Sequence, residues 1–272
     1  MAWLKPLRFL RQKPPLSVLF PAVEHWFNSR RGQLLMASEQ AILDQLLNDC
    51  FGYDLLQLSV SRQAILYESA RVRHKYRAYP LRGQGLNDKG KVEVYTDLQQ
   101  LPFASQSIDV VIIHHSHEFT DNAQALLREV ERITVNGGHV IILGFNPYSL
   151  MGLQTLITRY LPRSIWHNRF LSHWRINDWL SLLGFHVKQQ RFGYHYLDKY
   201  KEADNALIKA CCKYLFKLPI GGVYCLSAVK QVAAVTPDTP RWLKTPRGFS
   251  VLTPKANMRR ENVVPIKPPI ES

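Results

Sequence analysis

The stretch from Leu101 to Leu150 constrains the fold more than any other part of this chain. Residues Ile108 to Ile113 are apolar at nearly every position, which is typical of a parallel strand covered on both faces. A polar loop and a helical pattern follow. Asn136-Gly137-Gly138 is expected to end that helix, and Val140 to Phe145 forms a second apolar run. The stretch therefore predicts a β-α-β unit with a right-handed crossover.

The helix of this unit has a recognisable start. Asp121, with Gln124 three residues later, resembles a capping box. The apolar positions that follow recur at helical spacing, and these are Leu126, Leu127, Val130 and Ile133. We therefore expect a helix of about a dozen residues between the two strands.

Apolar runs on either side extend the same alternation of strands and helices. Upstream, a helical apolar face from Leu35 to Leu47 precedes a predicted first strand at 54–60 and a second strand at 72–79. Downstream, a helix around 177–183 precedes late strands at 185–191 and 222–230, with room for one more helix around 206–215. The pattern predicts an α/β fold with a doubly wound, mostly parallel sheet.

Several motifs in the central stretch carry a resemblance to a known family. They are Leu101-Pro102-Phe103, Asp109-Val110-Val111, His115-x-x-Glu118, Leu127-Arg128-Glu129-Val130 with Arg132, and Gly137-Gly138. In this order they resemble the C-terminal half of the core of class I S-adenosylmethionine-dependent methyltransferases, and in particular the methyltransferase 11 group. Residues 144–150 look like one bacterial subfamily of that group. The resemblance implies a seven-stranded, Rossmann-like methyltransferase fold with S-adenosyl-L-methionine as cofactor.

The resemblance also implies a cofactor site across the carboxyl ends of the strands. Asp97 matches the family position whose carboxylate accepts a hydrogen bond from the adenine amino group, and Leu98 would lie against the adenine ring. His114 and His115, which follow the strand at 108–113, would form a wall of the cleft. Aspartate is also common in loops because it caps turns. A turn-capping role for Asp97 is therefore the alternative.

The first loop of the implied cofactor site departs from the family pattern. Family members carry glycines there because the backbone approaches the methionine moiety closely, whereas this chain has Leu58-Ser59-Val60-Ser61-Arg62. The acidic residue expected for the ribose hydroxyls is missing near Arg77 to Arg82. We expect Ser59 and Ser61 to supply hydroxyl donors and Arg62 to pair with the methionine carboxylate. Solvated loop residues are the alternative.

The run from His114 to Glu118 contains three histidines and a glutamate, residue types that bind metal ions. Adjacent residues of a strand point to opposite faces, so at most part of this set is expected to converge. The neighbouring sequence adds no further cysteine or histidine motif. We therefore predict no metal site.

The chain has a formal charge of +14, from 35 basic and 21 acidic residues, which favours polyanionic partners through long-range attraction. The densest basic segment runs from Arg71 to Arg77 and contains Tyr76. Dispersed charge that keeps a protein soluble explains the same total. Nucleic-acid binding is therefore the lesser alternative.

Composition divides the chain into three parts. Residues 1–31 form a basic N-terminal arm, and residues 32–230 form the methyltransferase-like domain with an insertion at 149–176. Residues 231–272 hold seven of the 16 prolines and are expected to be a disordered basic tail. The four cysteines show no zinc or disulfide spacing, and no apolar run approaches the ~18 to 20 residues of a membrane span. We expect a cytoplasmic protein.

The predicted function is transfer of the methyl group of S-adenosylmethionine to an acceptor that the sequence does not identify. Such chemistry depends largely on holding the acceptor against an already activated methyl group, so no catalytic residue is predicted. The insertion, with Trp166 and Trp174, is placed to cover an acceptor pocket. The alternative is a non-catalytic protein of the same fold that binds nucleic acid or protein through its basic surface.

Overall fold

The computed structural model describes residues 16–80, 92–158, 170–194 and 221–231. The helices of these ranges are α1 (Leu16–Asn28), α2 (Arg30–Leu47), α3 (Ser116–Phe119), α4 (Ala123–Ile133), α5 (Leu150–Thr158) and α6 (His173–Leu182). The strands are β1 (Phe51–Ser59), β2 (Arg71–Tyr79), β3 (Val92–Tyr95), β4 (Ile108–His114), β5 (Thr134–Phe145), β6 (Phe185–Gly193) and β7 (Val223–Lys230). None of these helices is both long and apolar enough to span a membrane.

The seven strands form one sheet in the order β3-β2-β1-β4-β5-β7-β6. Strands β1 to β5 are mutually parallel, and β7 pairs antiparallel with both β5 and β6. The winding reverses between β1 and β4, where an open α/β sheet forms its ligand crevice. The predicted doubly wound, mostly parallel seven-stranded sheet is confirmed, including the late hairpin.

Each face of the sheet is covered by a different set of elements. Successive residues of β4 point to opposite faces, so Val111 and Ile113 pack with α4 and α6, whereas Val110 and Ile112 pack with α2. All four of these side chains are fully buried. Burial of a Val or Ile side chain stabilises the fold by roughly 1.5–3 kcal/mol, which explains the near-continuous apolar run in the sequence.

The crossover from β1 to β2 contains no helix in this structure. Residues 60–70 run as a loop whose Ala64, Leu66 and Tyr67 pack against α2. The buried Gln57 side chain holds this loop, since its Nε2 donates to the Ala64 carbonyl at 2.5 Å and its Oε1 accepts from the Leu66 N–H at 3.1 Å. A loop of this length therefore covers the sheet where a helix would otherwise lie.

Two local predictions for the central unit were wrong. Helix α4 is capped by Asn122, whose Oδ1 accepts from Ala125 N at 3.0 Å, rather than by Asp121. Gly137 and Gly138 lie inside β5 and do not end the helix. The ladder passes from the pair Ile108–Thr134 to the pair Val110–His139, so the extra residues form a bulge there, with φ of 80° at Gly137.

Other predicted segments lie partly or wholly outside the described residues. Helix α1 falls within the predicted N-terminal arm, and its Phe27 is fully buried. The insertion contains α5 and the start of α6. Trp166, the predicted helix at 206–215 and residues 232–272 lie outside the described ranges.

Candidate active site

A buried group of polar side chains lies at the carboxyl ends of β1 and β4, beneath α2. It consists of Ser59, His114, His115, Glu39 from α2, and Glu118 from α3, and is called the histidine cluster below. None of these side chains is more than 3% exposed. Charged groups are almost never fully buried unless they are paired, so the contacts within the cluster decide its chemistry.

Both histidine rings point toward the same carboxylate. His114 is the last residue of β4, and His115 follows it with φ of 54°, a left-handed conformation that breaks the alternation of the strand. The two ring centroids are therefore only 4.7 Å apart. The expectation that adjacent histidines diverge fails here because His115 is not extended.

Hydrogen bonds connect every member of the histidine cluster. Glu39 Oε2 lies 3.2 Å from His114 Nε2, and Glu39 Oε1 lies 2.8 Å from His115 Nε2. His115 Nδ1 lies 2.9 Å from Glu118 Oε2, and the Phe145 N–H donates to Glu118 Oε1 at 2.7 Å. Ser59 Oγ lies 2.8 Å from His114 Nδ1. The cluster thus ties α2 to strands β1, β4 and β5.

Burial and mutual attraction set the ionisation of the cluster. Burial opposes the charge on Glu39, but His115 and His114 outweigh it and lower the pKa of Glu39 to about 2. Burial also opposes charge on His115, but the Glu39 and Glu118 carboxylates raise its pKa to about 9. Burial lowers the pKa of His114 and raises that of Glu118. With protons as the only cations, the geometry therefore favours an ionised Glu39 in contact with a protonated His115.

Glu39 was not identified from the sequence, although a signal for it exists. It lies four residues after Leu35 and four before Leu43, in the middle of the apolar face of α2. All three side chains are completely buried. A carboxylate at an interior position of an apolar helix face indicates a buried partner elsewhere in the chain.

His117 lies beside the histidine cluster but has a different partner. Its Nε2 is 3.0 Å from the hydroxyl of Tyr224, which is fully buried on β7. Burial, with the nearby His115 and His114, lowers the pKa of His117 to about 3. His117 is therefore neutral at physiological pH.

Of the residues predicted to replace the glycine loop, Ser61 and Arg62 are the ones left with free polar atoms. Ser61 is fully buried, and its Oγ has no hydrogen-bond partner in the described part of the chain. The same holds for Nε and Nη2 of Arg62, whose guanidinium lies 5.6 Å from the centre of the Tyr95 ring. Ser59 is instead engaged with His114. Buried donors without partners indicate a place where a polar ligand can bind.

Asp97 and Leu98 follow β3, at the same edge of the sheet. Asp97 is exposed, and its Oδ1 accepts from Gln99 N at 2.9 Å, which is the turn-capping arrangement. Its Oδ2 has no protein partner among the hydrogen bonds of the described residues. Leu98 is 3% exposed and packs in the core with Leu101. Asp97 therefore caps a turn through Oδ1, and its Oδ2 is available to accept a hydrogen bond from a ligand.

The end of β2 differs from the acidic end expected for a ribose site. Tyr79 is fully buried there, and burial raises the pKa of its hydroxyl. Arg77 is 2% exposed and pairs with Glu93 at 2.6 Å. An arginine that is buried and paired cannot contribute to a basic surface patch, which leaves Arg71 and Arg73 as the exposed arginines of this segment.

The family motif residues on α4 hold the loop that carries Asp97. Arg132 donates to the Phe103 carbonyl at 2.9 Å and to the Leu101 carbonyl at 3.0 Å. Glu129 accepts from the Leu101 N–H at 3.0 Å and from Arg132 Nη2 at 2.9 Å. These contacts form a clamp between α4 and residues 101–103, called the loop clamp below.

Comparison with known proteins places the central part of this chain in a known family. Residues 41–142 match the family model described as a methyltransferase domain. The chain is 31% identical to the protein YafS of Escherichia coli over 184 residues, which cover 68% of this chain and 71% of YafS.

Solved structures show the same fold at low sequence identity. An S-adenosylmethionine-dependent methyltransferase of Thermotoga maritima, described as a possible histamine N-methyltransferase, superposes with a TM-score of 0.58 at 16% identity, over 80% of this chain and 100% of that chain. An S-adenosylmethionine-dependent methyltransferase of Archaeoglobus fulgidus superposes with a TM-score of 0.56 at 18% identity, over 78% of this chain and 99% of that chain. The chain therefore belongs to the class I S-adenosylmethionine-dependent methyltransferases, with a domain of the methyltransferase 11 type.

Proposed function

We propose that this protein transfers the methyl group of S-adenosylmethionine to an acceptor with a large apolar body. The observation that carries the proposal is the set of polar atoms left free at the carboxyl edge of a methyltransferase sheet, on Ser61, Arg62 and Asp97. They lie after β1 and β3, at the carboxyl edge of the sheet, where open α/β sheets bind their ligands.

The polar groups of these residues fit two ends of the cofactor. The guanidinium of Arg62 matches a carboxylate in geometry and charge, and Ser61 Oγ adds a further donor, so both would hold the methionine carboxylate. Asp97 Oδ2 would accept from the adenine amino group. When bound, the cofactor supplies an activated methyl group, and the protein supplies binding and orientation.

The acceptor side of the proposal rests on the side chains around the histidine cluster. Phe27 of α1 lies 5.3 Å from the His114 ring, and Phe145 stacks on His115 at 3.9 Å. Trp26 and Phe170 extend this aromatic group by contacts with Phe145. An apolar surround favours an acceptor with a large apolar body, since burial of polar groups without partners is costly.

Titration calorimetry with S-adenosylhomocysteine tests the cofactor site. We expect binding by the wild type and at least a tenfold loss of affinity in both Arg62→Met and Asp97→Ala, since a hydrogen bond to a charged group contributes about 1.5–3 kcal/mol. Arg71→Met, which changes an exposed arginine of β2, is the matched control and should bind normally. The proposal would be refuted if the wild-type protein did not bind S-adenosylhomocysteine at millimolar concentration.

A second candidate function is favoured by the helix-free β1–β2 crossover. That loop has neither the glycines nor the helix N-terminus that would receive an anionic group. A chain that has lost cofactor binding would act as a non-catalytic binding protein, and the exposed Arg71 and Arg73 would contribute to contact with nucleic acid. Fluorescence anisotropy with an RNA oligomer tests this, because phosphate contacts must weaken steeply with salt.

A further inference from the structure

The hydrogen-bond pattern of the histidine cluster accommodates a neutral His114 with its ring hydrogen on Nδ1. Ser59 Oγ carries one hydrogen, and the Ser61 carbonyl 2.8 Å away can only accept it. When Ser59 Oγ donates to that carbonyl, its 2.8 Å contact with His114 Nδ1 places the ring hydrogen on Nδ1. A neutral His114 consequently presents a bare Nε2 to Glu39 Oε2, 3.2 Å away.

His115 has the same arrangement with a different partner. Its Nδ1 lies 2.9 Å from Glu118 Oε2, and the other oxygen of Glu118 already accepts from Phe145 N. With Glu118 ionised, Nδ1 is the donor, and a neutral His115 presents its bare Nε2 to Glu39 Oε1 at 2.8 Å. Two nitrogen lone pairs face one carboxylate in a site closed to solvent.

In these tautomers a positive charge between the atoms would offset the repulsion between the nitrogen lone pairs and the carboxylate. Protons would supply it by making His115, or both histidines, cationic, with ring centroids 4.7 Å apart. One divalent cation supplies the same charge and leaves both rings neutral. In either case the charge balances the two carboxylates of Glu39 and Glu118.

We propose that Glu39, His114 and His115 bind a divalent transition-metal ion of the zinc class. Donor atoms of the three residues all lie within 4.8 Å of one another. Ligands that share one ion at bonds of about 2.0–2.2 Å lie about 3–4 Å apart, so the widest pair would move about 1 Å closer when the ion binds. Two imidazoles and a carboxylate suit zinc better than calcium or magnesium, which prefer oxygen ligands.

The residues behind the ligands support this assignment. Metal-binding histidines usually donate their second ring N–H to a carboxylate or another acceptor, which fixes the ring and its tautomer. Glu118 does this for His115, and Ser59 does it for His114. The left-handed backbone of His115, unusual for a residue other than glycine, is what brings the second ring to the site. The ion would connect α2 to the end of β4, 75 residues away in the chain.

Zinc binding to the full-length protein tests the proposal. After treatment with a chelator, the protein is titrated with Zn²⁺ in competition with a chromophoric chelator, and its metal content is measured by mass spectrometry. We expect one ion per chain. The Co²⁺-loaded protein should show visible bands of a nitrogen and oxygen site without thiolate charge-transfer bands, which separates this site from one built on cysteines.

Variants assign the site to the cluster. Glu39→Gln keeps the shape of the side chain but removes its charge, and should weaken zinc binding at least 100-fold. Glu118→Gln should weaken it about 10–100-fold, the usual effect of the residue behind a ligand. His139→Gln, at a partly buried histidine of β5, is the matched control and should retain the wild-type affinity.

Three results would overturn the proposal: a wild-type protein that takes up no zinc at micromolar concentration, a cobalt spectrum with thiolate bands, or zinc binding that is unchanged in Glu39→Gln. The first result would leave protons as the source of the charge. If Glu39→Gln does not fold, the wild-type stoichiometry and cobalt spectrum still decide. The outcome is independent of S-adenosylhomocysteine binding, which is measured separately.

Discussion

Replacement of Arg132 by methionine should release the loop clamp and destabilise the protein. Methionine keeps the apolar stem but removes the two bonds to the carbonyls of Leu101 and Phe103 and the ion pair with Glu129. A hydrogen bond to a charged group contributes about 1.5–3 kcal/mol. Because the side chain is 34% exposed, solvent screening reduces each contribution. We expect a net loss of about 2–3 kcal/mol.

Denaturant unfolding and thermal melts measure this loss. For a domain of this size, 1 kcal/mol shifts Tm by about 2–4 °C, so Arg132→Met should melt roughly 4–12 °C below the wild type. Arg128→Met is the control, since Arg128 lies one turn earlier on α4 and is exposed. The loop also carries Asp97, so affinity for S-adenosylhomocysteine should fall too.

The loop clamp would contribute nothing to stability if Arg132→Met lowered the free energy of unfolding no more than Arg128→Met does. A double-mutant cycle with Glu129→Gln isolates the pair, because both side chains hold the same loop and their effects should not add.

Three further predictions concern other parts of the fold. Gly144→Ala places a Cβ 2.5 Å from the Tyr224 hydroxyl and 2.8 Å from His117 Nε2, and should cost about 1–3 kcal/mol in urea unfolding; a fully stable variant would contradict this packing. Asn122→Ala should lower stability by about 1 kcal/mol through loss of the α4 cap, whereas Asn122→Asp should retain most of it. Burial lowers the pKa of His173, so the unfolded chain takes up a proton below about pH 6.5 while the folded chain does not, and stability should fall as pH decreases through that range. His173→Gln should flatten this part of the pH profile, measured by melts from pH 5 to 8.

The elements of the sheet could be predicted because local pattern determines them. The run at 108–113 is buried on both faces, and the apolar spacing of 126–133 matches a single helix face, so neither depends on distant residues. Element ends were less predictable. The Gly137-Gly138 pair is typical of a helix end, but the pairing of β5 with β4 places it in a bulge instead.

The histidine cluster could not be assembled from the sequence for two physical reasons. Glu39 lies 75 residues before His114, and only the packing of α2 on the sheet brings them together. The convergence of His114 and His115 depends on the positive φ of His115. A positive φ can be expected from the residue type only for glycine, so the sequence gives no sign of it here. The cofactor residues named from the family resemblance remain predictions that the binding experiments address.

The position of Glu39 has a practical consequence for any shortened form of this protein. The family match begins at residue 41, inside α2 and two residues after Glu39. A fragment cut at that boundary would lose the carboxylate that faces both histidines, together with Phe27 and Leu35, which seal the same region. We therefore expect a fragment that begins at residue 41 to be less stable than one that begins before α1.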